Sequence, residues 1–64
     1  MIVHYPGDSC VEIPLKECRL EEVLNTLGLN PLEVIVSRNG TIIPEDSMVG
    51  DKDEIRIYRV AHGG

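Results

Sequence analysis

The chain has 64 residues, of which 42% are hydrophobic and 27% charged, as in an ordinary folded domain. A chain of this length forms one domain with a small core, because it buries only about 60% of the surface that its unfolded form exposes. Eleven acidic residues against six basic ones give a net charge of −5, and Tyr5 and Tyr58 are the only aromatic residues. Direct nucleic-acid binding is therefore not expected, since phosphates would be repelled and bases would lack stacking partners.

The apolar stretches and the two cysteines limit the class of protein further. The longest apolar stretches, such as residues 34–36, fall far short of the roughly 20 apolar residues that a helix needs to cross a bilayer. Cys10 and Cys18 lack the spacing of a zinc site or of a disulfide framework. We therefore expect a cytoplasmic protein that has no membrane partner and is monomeric when free, with buried or half-buried free thiols and no metal site.

The first 15 residues read as a β-hairpin. Residues 1–5 are rich in strand-forming side chains and end at Pro6-Gly7-Asp8, which is turn chemistry. Apolar side chains then alternate with other residues at Val11, Ile13 and Leu15. This alternation predicts a second strand with one buried face, which ends at Pro14 or lies at a sheet edge.

A helix follows, because the apolar period changes from two to between three and four. The residues that share its predicted inner face are Leu20, Val23, Leu24 and Leu27. Gly28 is placed to end the helix in a left-handed conformation. No strong capping residue precedes Leu20, so the start of the helix is left open.

The second half of the chain predicts three further strands. Residues 33–38 and 41–43 flank Asn39-Gly40, a strong signal for a tight hairpin. A polar connection follows, in which Met48 and Val49 are expected to fill the core. The last strand, 54–60, alternates again. Its inner side is predicted to carry Ile55 and Ile57, and its outer side Arg56 and Tyr58.

These elements have the order ββαβββ and predict an α+β fold. One helix must cover a mixed sheet of about five strands, which is a β-grasp layout. We expect residues 1–60 to form this domain and residues 61–64 to be a flexible tail that ends in Gly63-Gly64.

No catalytic constellation is visible in the sequence. Neither His4, which we expect to be exposed or at an edge, nor His62 is spaced to act as a base for Cys10 or Cys18. Adjacent acidic residues on a helix do not face each other, and the glycines are isolated in turns. We expect no enzymatic activity, no catalytic residue and no intrinsically bound cofactor.

The last residues differ from the rest, because small residues follow the final strand directly. Glycines lack Cβ atoms and could thread a narrow channel in a partner protein. The carboxylate of Gly64 would then be presented to the partner's nucleotide site. A frayed end without a function is the alternative interpretation.

The whole chain resembles the ubiquitin-like sulfur carrier proteins, a family that includes thiamine-pathway and molybdopterin-pathway carriers and archaeal small modifiers. The resemblance rests on the opening hairpin, the 20–29 helix, the 34–40 segment with Asn-Gly, the 50–55 approach to the last strand and the terminal Gly63-Gly64. It implies that an activating enzyme uses ATP to adenylate Gly64, which then becomes a thiocarboxylate. The sulfur would pass to a synthase or thiolase of thiamine, molybdopterin or tRNA thiolation pathways, with Ala61, His62 and Gly63 lying in the enzyme's channel.

Partner recognition is expected on the sheet face away from the helix. Ile35 and Tyr58 could form a small exposed apolar patch there, with Arg56 and Arg59 beside the start of the tail. Solitary exposed apolar residues that need no partner remain an equal alternative.

Two alternatives to the sulfur carrier stay open at this level. One is a protein modifier whose Gly64 forms an isopeptide bond with target lysines, which shares the adenylation step. The other is a β-grasp interaction domain in which the two glycines are incidental. The sequence does not identify the acceptor pathway or a role for the cysteines.

Overall fold

The computed structural model describes residues 1–60, in which seven short strands and one α-helix follow one another. The elements in chain order are β1 (Ile2–His4), β2 (Cys10–Glu12), β3 (Cys18–Arg19), α1 (Leu20–Thr26), a 3-10 turn (Pro31–Glu33), β4 (Val34–Arg38), β5 (Thr41–Ile43), β6 (Met48–Val49) and β7 (Glu54–Arg59). No helix within these residues is long and apolar enough to span a membrane.

Five of the strands form one mixed sheet with the order β2-β1-β7-β4-β5. The central pair, β1 and β7, is parallel, and the other neighbours are antiparallel. Helix α1 supplies buried side chains to the core beneath this sheet. The arrangement confirms the predicted α+β class and β-grasp layout.

The first hairpin is confirmed, but its second strand is less buried than predicted. Gly7 and Asp8 both have positive φ angles, of 86° and 70°, and turn the chain between β1 and β2. Strand β2 ends at Glu12, and Val11 remains 40% exposed. The prediction of a buried face was wrong for Val11, because β2 is an edge strand and no second neighbour covers it within residues 1–60. His4, in contrast, lies on an inner strand and is partly exposed.

Both ends of α1 have identifiable caps. The Glu22 carboxylate accepts a hydrogen bond from the Arg19 amide at 3.0 Å, so an acidic residue in the first turn caps the helix. At the other end Gly28 has φ +77°, and the Leu29 amide donates to the Leu24 carbonyl at 2.8 Å. This is a Schellman ending, as the glycine predicted.

A second, two-stranded ladder joins the start of the helix to the loop before β7, and the sequence did not predict it. Cys18 pairs with Val49, and Arg19 pairs with Met48. Because neighbouring residues of a strand face opposite sides, Val49 is buried while Met48 is 50% exposed. The expectation that both residues fill the core was therefore right for Val49 and wrong for Met48.

The second hairpin and the core follow the sequence pattern closely. Asn39 and Gly40 have φ angles of 54° and 80°, as a type I′ turn requires. The buried apolar residues are all aliphatic or methionine, and they are Met1, Val3, Leu20, Val23, Leu24, Val36, Val49, Ile55 and Ile57.

Candidate functional site: the outer sheet face and the end of the central strand

The outer face of the sheet carries an apolar pair at its centre. Ile35 on β4 lies directly opposite Tyr58 on β7, and the two residues are 39% and 47% exposed. Side chains of such cross-strand pairs contact each other. The structure therefore brings together two of the four residues that the sequence assigned to a partner surface.

A third apolar residue lies on this face and was not predicted from the sequence. Ile42 on β5 pairs with Ser37, which lies two residues from Ile35 on β4 and so shares its face. Ile42 is 67% exposed. The alternation that begins after the Asn-Gly turn could have identified it. We call Ile35, Ile42 and Tyr58 the outer apolar patch.

The two predicted arginines do not lie on the same face. Arg56 pairs with Ser37 on one side and with His4 on the other, so it lies at the middle of the outer face. Arg59 pairs with Val34 near the end of β7. By strand alternation its side chain leaves on the opposite side from Tyr58.

A shallow polar concavity of about 270 Å³ adjoins the patch. The His4 Nε2 atom contacts the Glu54 carboxylate across β1 and β7 within this concavity, beside Arg56 and Tyr58. These groups can exchange hydrogen bonds with a partner, and the nearly buried Ser37 also lines the concavity. Within residues 1–60 no group of three His, Cys, Asp or Glu side chains is arranged to hold a metal ion.

Both cysteines are free thiols that lie in different environments. Cys10 is exposed on β2, which contradicts the expectation of a buried or half-buried thiol and reflects the edge position of that strand. Cys18 is half-buried, as predicted. Burial, with a smaller contribution from the nearby Glu22 carboxylate, raises the pKa of Cys18 and disfavours its thiolate.

The end of β7 is held firmly in the middle of the fold. This strand pairs with β1 on one side and with β4 on the other. Beyond its last residue, the Val60 amide donates a hydrogen bond to the Glu33 carbonyl at 3.0 Å. The predicted site residues Ala61, His62, Gly63 and Gly64 lie outside the described residues. The structure gives the position of Val60, the residue that precedes them.

Comparisons with known proteins identify the family. The model of a family described as small archaeal modifier protein 2 matches residues 2–61. An uncharacterized protein of Archaeoglobus fulgidus is 35% identical over 54 residues, which cover 84% of this chain and 79% of that protein. The family match ends before Gly63 and Gly64. Because it covers nearly all of the β-grasp domain, the chain belongs to the small archaeal modifier protein 2 family of ubiquitin-like modifiers and sulfur carriers.

Proposed function

We propose that the protein is a sulfur carrier whose reactive group is the carboxylate of Gly64. An activating enzyme adenylates this carboxylate, and the protein then carries sulfur to an acceptor enzyme as a thiocarboxylate. The proposal takes Gly64 as the residue that bears the free carboxylate. ATP is bound by the activating enzyme, and the carrier itself needs no cofactor.

One observation carries the proposal: the segment with the glycines follows the central strand of a rigid sheet. Strand β7 is paired on both sides, and the hydrogen bond from Val60 to Glu33 extends its support to the last described residue. A partner protein that binds the sheet therefore also holds the start of the 61–64 segment at a defined position relative to itself. Holding a reacting group in position supplies a large part of catalysis in such transfers.

The chemistry needs three steps that partner proteins carry out on the carrier. A Gly64 carboxylate oxygen attacks the α-phosphorus of ATP, and pyrophosphate leaves. A persulfide of a sulfur donor then attacks the carbonyl carbon and displaces AMP, which gives an acyl disulfide. A second thiol cleaves the S–S bond, so that Gly64 becomes a thiocarboxylate and the donor becomes a disulfide. Adenylation is required because a carboxylate is a poor electrophile.

The outer face is the surface that we propose for the activating enzyme. The outer apolar patch offers side chains that can be buried against a partner, and Arg56 beside it can pair with an acidic group. Arg59, beside the last described residue, is suited to contacts at the mouth of the enzyme's channel. An acceptor synthase or thiolase would use the same end of the molecule.

A second function, protein modification, is favoured by the family whose model matches the chain, which is described as a modifier family. The adenylation step is shared, and the difference lies in the nucleophile. The ε-amine of a target lysine attacks the activated carbonyl of Gly64 and forms an isopeptide bond. One chain could serve both functions.

Mass spectrometry of the protein from its native host tests both functions. A sulfur carrier gives an intact mass in which one oxygen of Gly64 has been replaced by sulfur. A modifier leaves a remnant on target lysines, and because Arg59 is the last tryptic site, this remnant is the five-residue segment 60–64. A variant that lacks Gly64 is the matched control and should give neither product. If the native protein gives neither product, both functions are wrong.

A further inference from the structure

The apolar row that the sequence predicted for the second strand is only partly covered within residues 1–60. Val11 and Ile13 lie on the same side of the strand, yet Val11 is 40% exposed and Ile13 is only partly buried. Such a period-two pattern normally marks a face that becomes buried. Here β2 is at the edge of the sheet, and its outer side has no strand beside it in the described chain.

The backbone of β2 is also available for pairing. Ile13 and Met1 exchange hydrogen bonds at 2.9 and 2.8 Å, and the Tyr5 amide donates to the Ser9 carbonyl at 2.7 Å. In an antiparallel pair the bonded positions alternate. The N–H and C=O groups of Cys10 and Glu12 therefore point away from β1, toward the free edge.

An apolar cleft continues this edge toward the helix. Its volume is about 300 Å³, and the residues that line it come from the segment after β2 and from α1, chiefly Ile13, Leu15, Val23 and Leu27, with Thr26 at the rim. A strand added beside β2 would direct every second side chain to the helix side of the sheet. Those side chains would lie next to Val11 and Ile13 and could enter the cleft.

Acidic side chains near the β2 edge favour a partner segment that carries positive charge. A second cavity of about 390 Å³ shares Ile13 with the apolar cleft and is lined by Glu12 and Asp51. The Asp51 carboxylate accepts a hydrogen bond from the Leu15 amide at 3.2 Å and lies 3.5 Å from the Met1 nitrogen. The Asp51 side chain is nevertheless 68% exposed. Glu22 lines the apolar cleft itself.

We propose that the β2 edge and the adjoining cleft dock an extended segment of another protein. The segment has alternating apolar residues and lysine or arginine at its ends. Backbone pairing with Cys10 and Glu12 would supply affinity, and the cleft and the acidic groups would supply specificity. A second copy of this chain fits less well, because pairing two β2 edges would bring two acidic rims together. The proposal is independent of any role of Gly64.

A titration followed by amide NMR tests the docking site under reducing conditions. The probe is a short capped peptide in which valine alternates with threonine and lysines flank both ends. We expect shifts at residues 10–13 of β2 and 23–27 of α1, with the outer apolar patch unchanged. A peptide with glutamate in place of lysine should bind several-fold more weakly, and this difference should shrink as salt is raised.

Two variants remove the site in different ways. Val11→Glu puts a charge on the apolar row, and Thr26→Trp fills the rim of the cleft without touching β2; each should weaken binding about tenfold or more. The matched control is Leu32→Glu in the 3-10 turn, an exposed apolar residue that lines neither cavity, and it should bind the peptide as the parent does. Dispersed amide spectra show that each variant is folded.

Three results would overturn the proposal. They are the absence of shifts at millimolar peptide, shifts confined to the outer face, and shifts at β2 that depend on protein concentration without peptide. The last result would assign the edge to a second copy of the chain instead.

Discussion

A single backbone position, Gly28, determines how the helix ends. Gly28 has φ +77°, a conformation that costs a residue with a Cβ atom roughly 1–2 kcal/mol. Gly50 has an ordinary φ, and at neither position would an added Cβ meet an atom within 4 Å. The two glycines therefore differ in backbone conformation and not in the space around them.

Replacing each glycine with alanine separates these effects. We expect Gly28→Ala to lower the free energy of unfolding by about 1 kcal/mol, because the left-handed Schellman position strains any residue other than glycine. Gly50→Ala should change it by less than about 0.5 kcal/mol or stabilise slightly, because alanine restricts the unfolded chain. Urea denaturation of both variants measures the difference. Equal values for the two would show that the helix does not need the left-handed residue.

At the scale of elements, local patterns were sufficient to predict most of the fold. Helix α1, its glycine ending and the Asn39-Gly40 hairpin each depend on residues close together in sequence, and all three were predicted. The pairing of β3 with β6 joins Cys18 to Val49, far apart in the chain, through strands too short to show alternation. Pro14 indicated that the second strand ends there or lies at a sheet edge, and β2 does lie at an edge. The exposure of Val11 was nevertheless not predicted, because the apolar alternation was read as a buried face. Ile35 and Tyr58 could be assigned to one face, but their direct pairing required the register of β4 against β7.

The helix contributes to the core through very few side chains, so each one matters. Leu24 is 1% exposed, whereas Leu32 in the 3-10 turn is 78% exposed. We expect Leu24→Ala to cost about 2–5 kcal/mol, since it removes buried methyl groups and leaves a cavity. That is comparable with the whole stability of a domain this small, about 3–5 kcal/mol. Leu32→Ala, the same change at an exposed site, should cost less than about 0.5 kcal/mol.

Thermal unfolding followed by circular dichroism distinguishes the two leucine variants. The Leu24→Ala chain should be largely unfolded or melt far below the parent, and the Leu32→Ala chain should melt with it. A Leu24→Ala variant that melts with the parent would mean that the helix is not required for the core.

At the scale of the whole molecule, the outer face of the sheet combines an apolar patch with charged groups of both signs. Acidic residues are concentrated on the helix and the loops, where Glu17, Glu21, Glu45 and Asp46 are found. The outer face carries the outer apolar patch, and the side chains of Arg56 and Glu54 lie beside it. Under the proposed function, the apolar patch and Arg56 on this face are the groups that an activating enzyme would contact. The proposed function thus places recognition on the sheet and the chemistry at Gly64.

The last prediction separates recognition from chemistry. Tyr58→Ala removes the largest side chain of the outer apolar patch but leaves Gly64 intact, so the activating enzyme should bind the carrier more weakly and adenylate it equally well once bound. We expect KM for the carrier to rise about tenfold with kcat nearly unchanged, as for the loss of a central aromatic contact. ATP–pyrophosphate exchange by the host's activating enzyme measures both constants. Met48→Ala, a residue 50% exposed on β6, is the matched control and should leave KM unchanged. If Tyr58→Ala and Met48→Ala give the same KM as the parent, the enzyme does not dock on the outer face, whereas a fall in kcat alone would place Tyr58 near the reacting group instead.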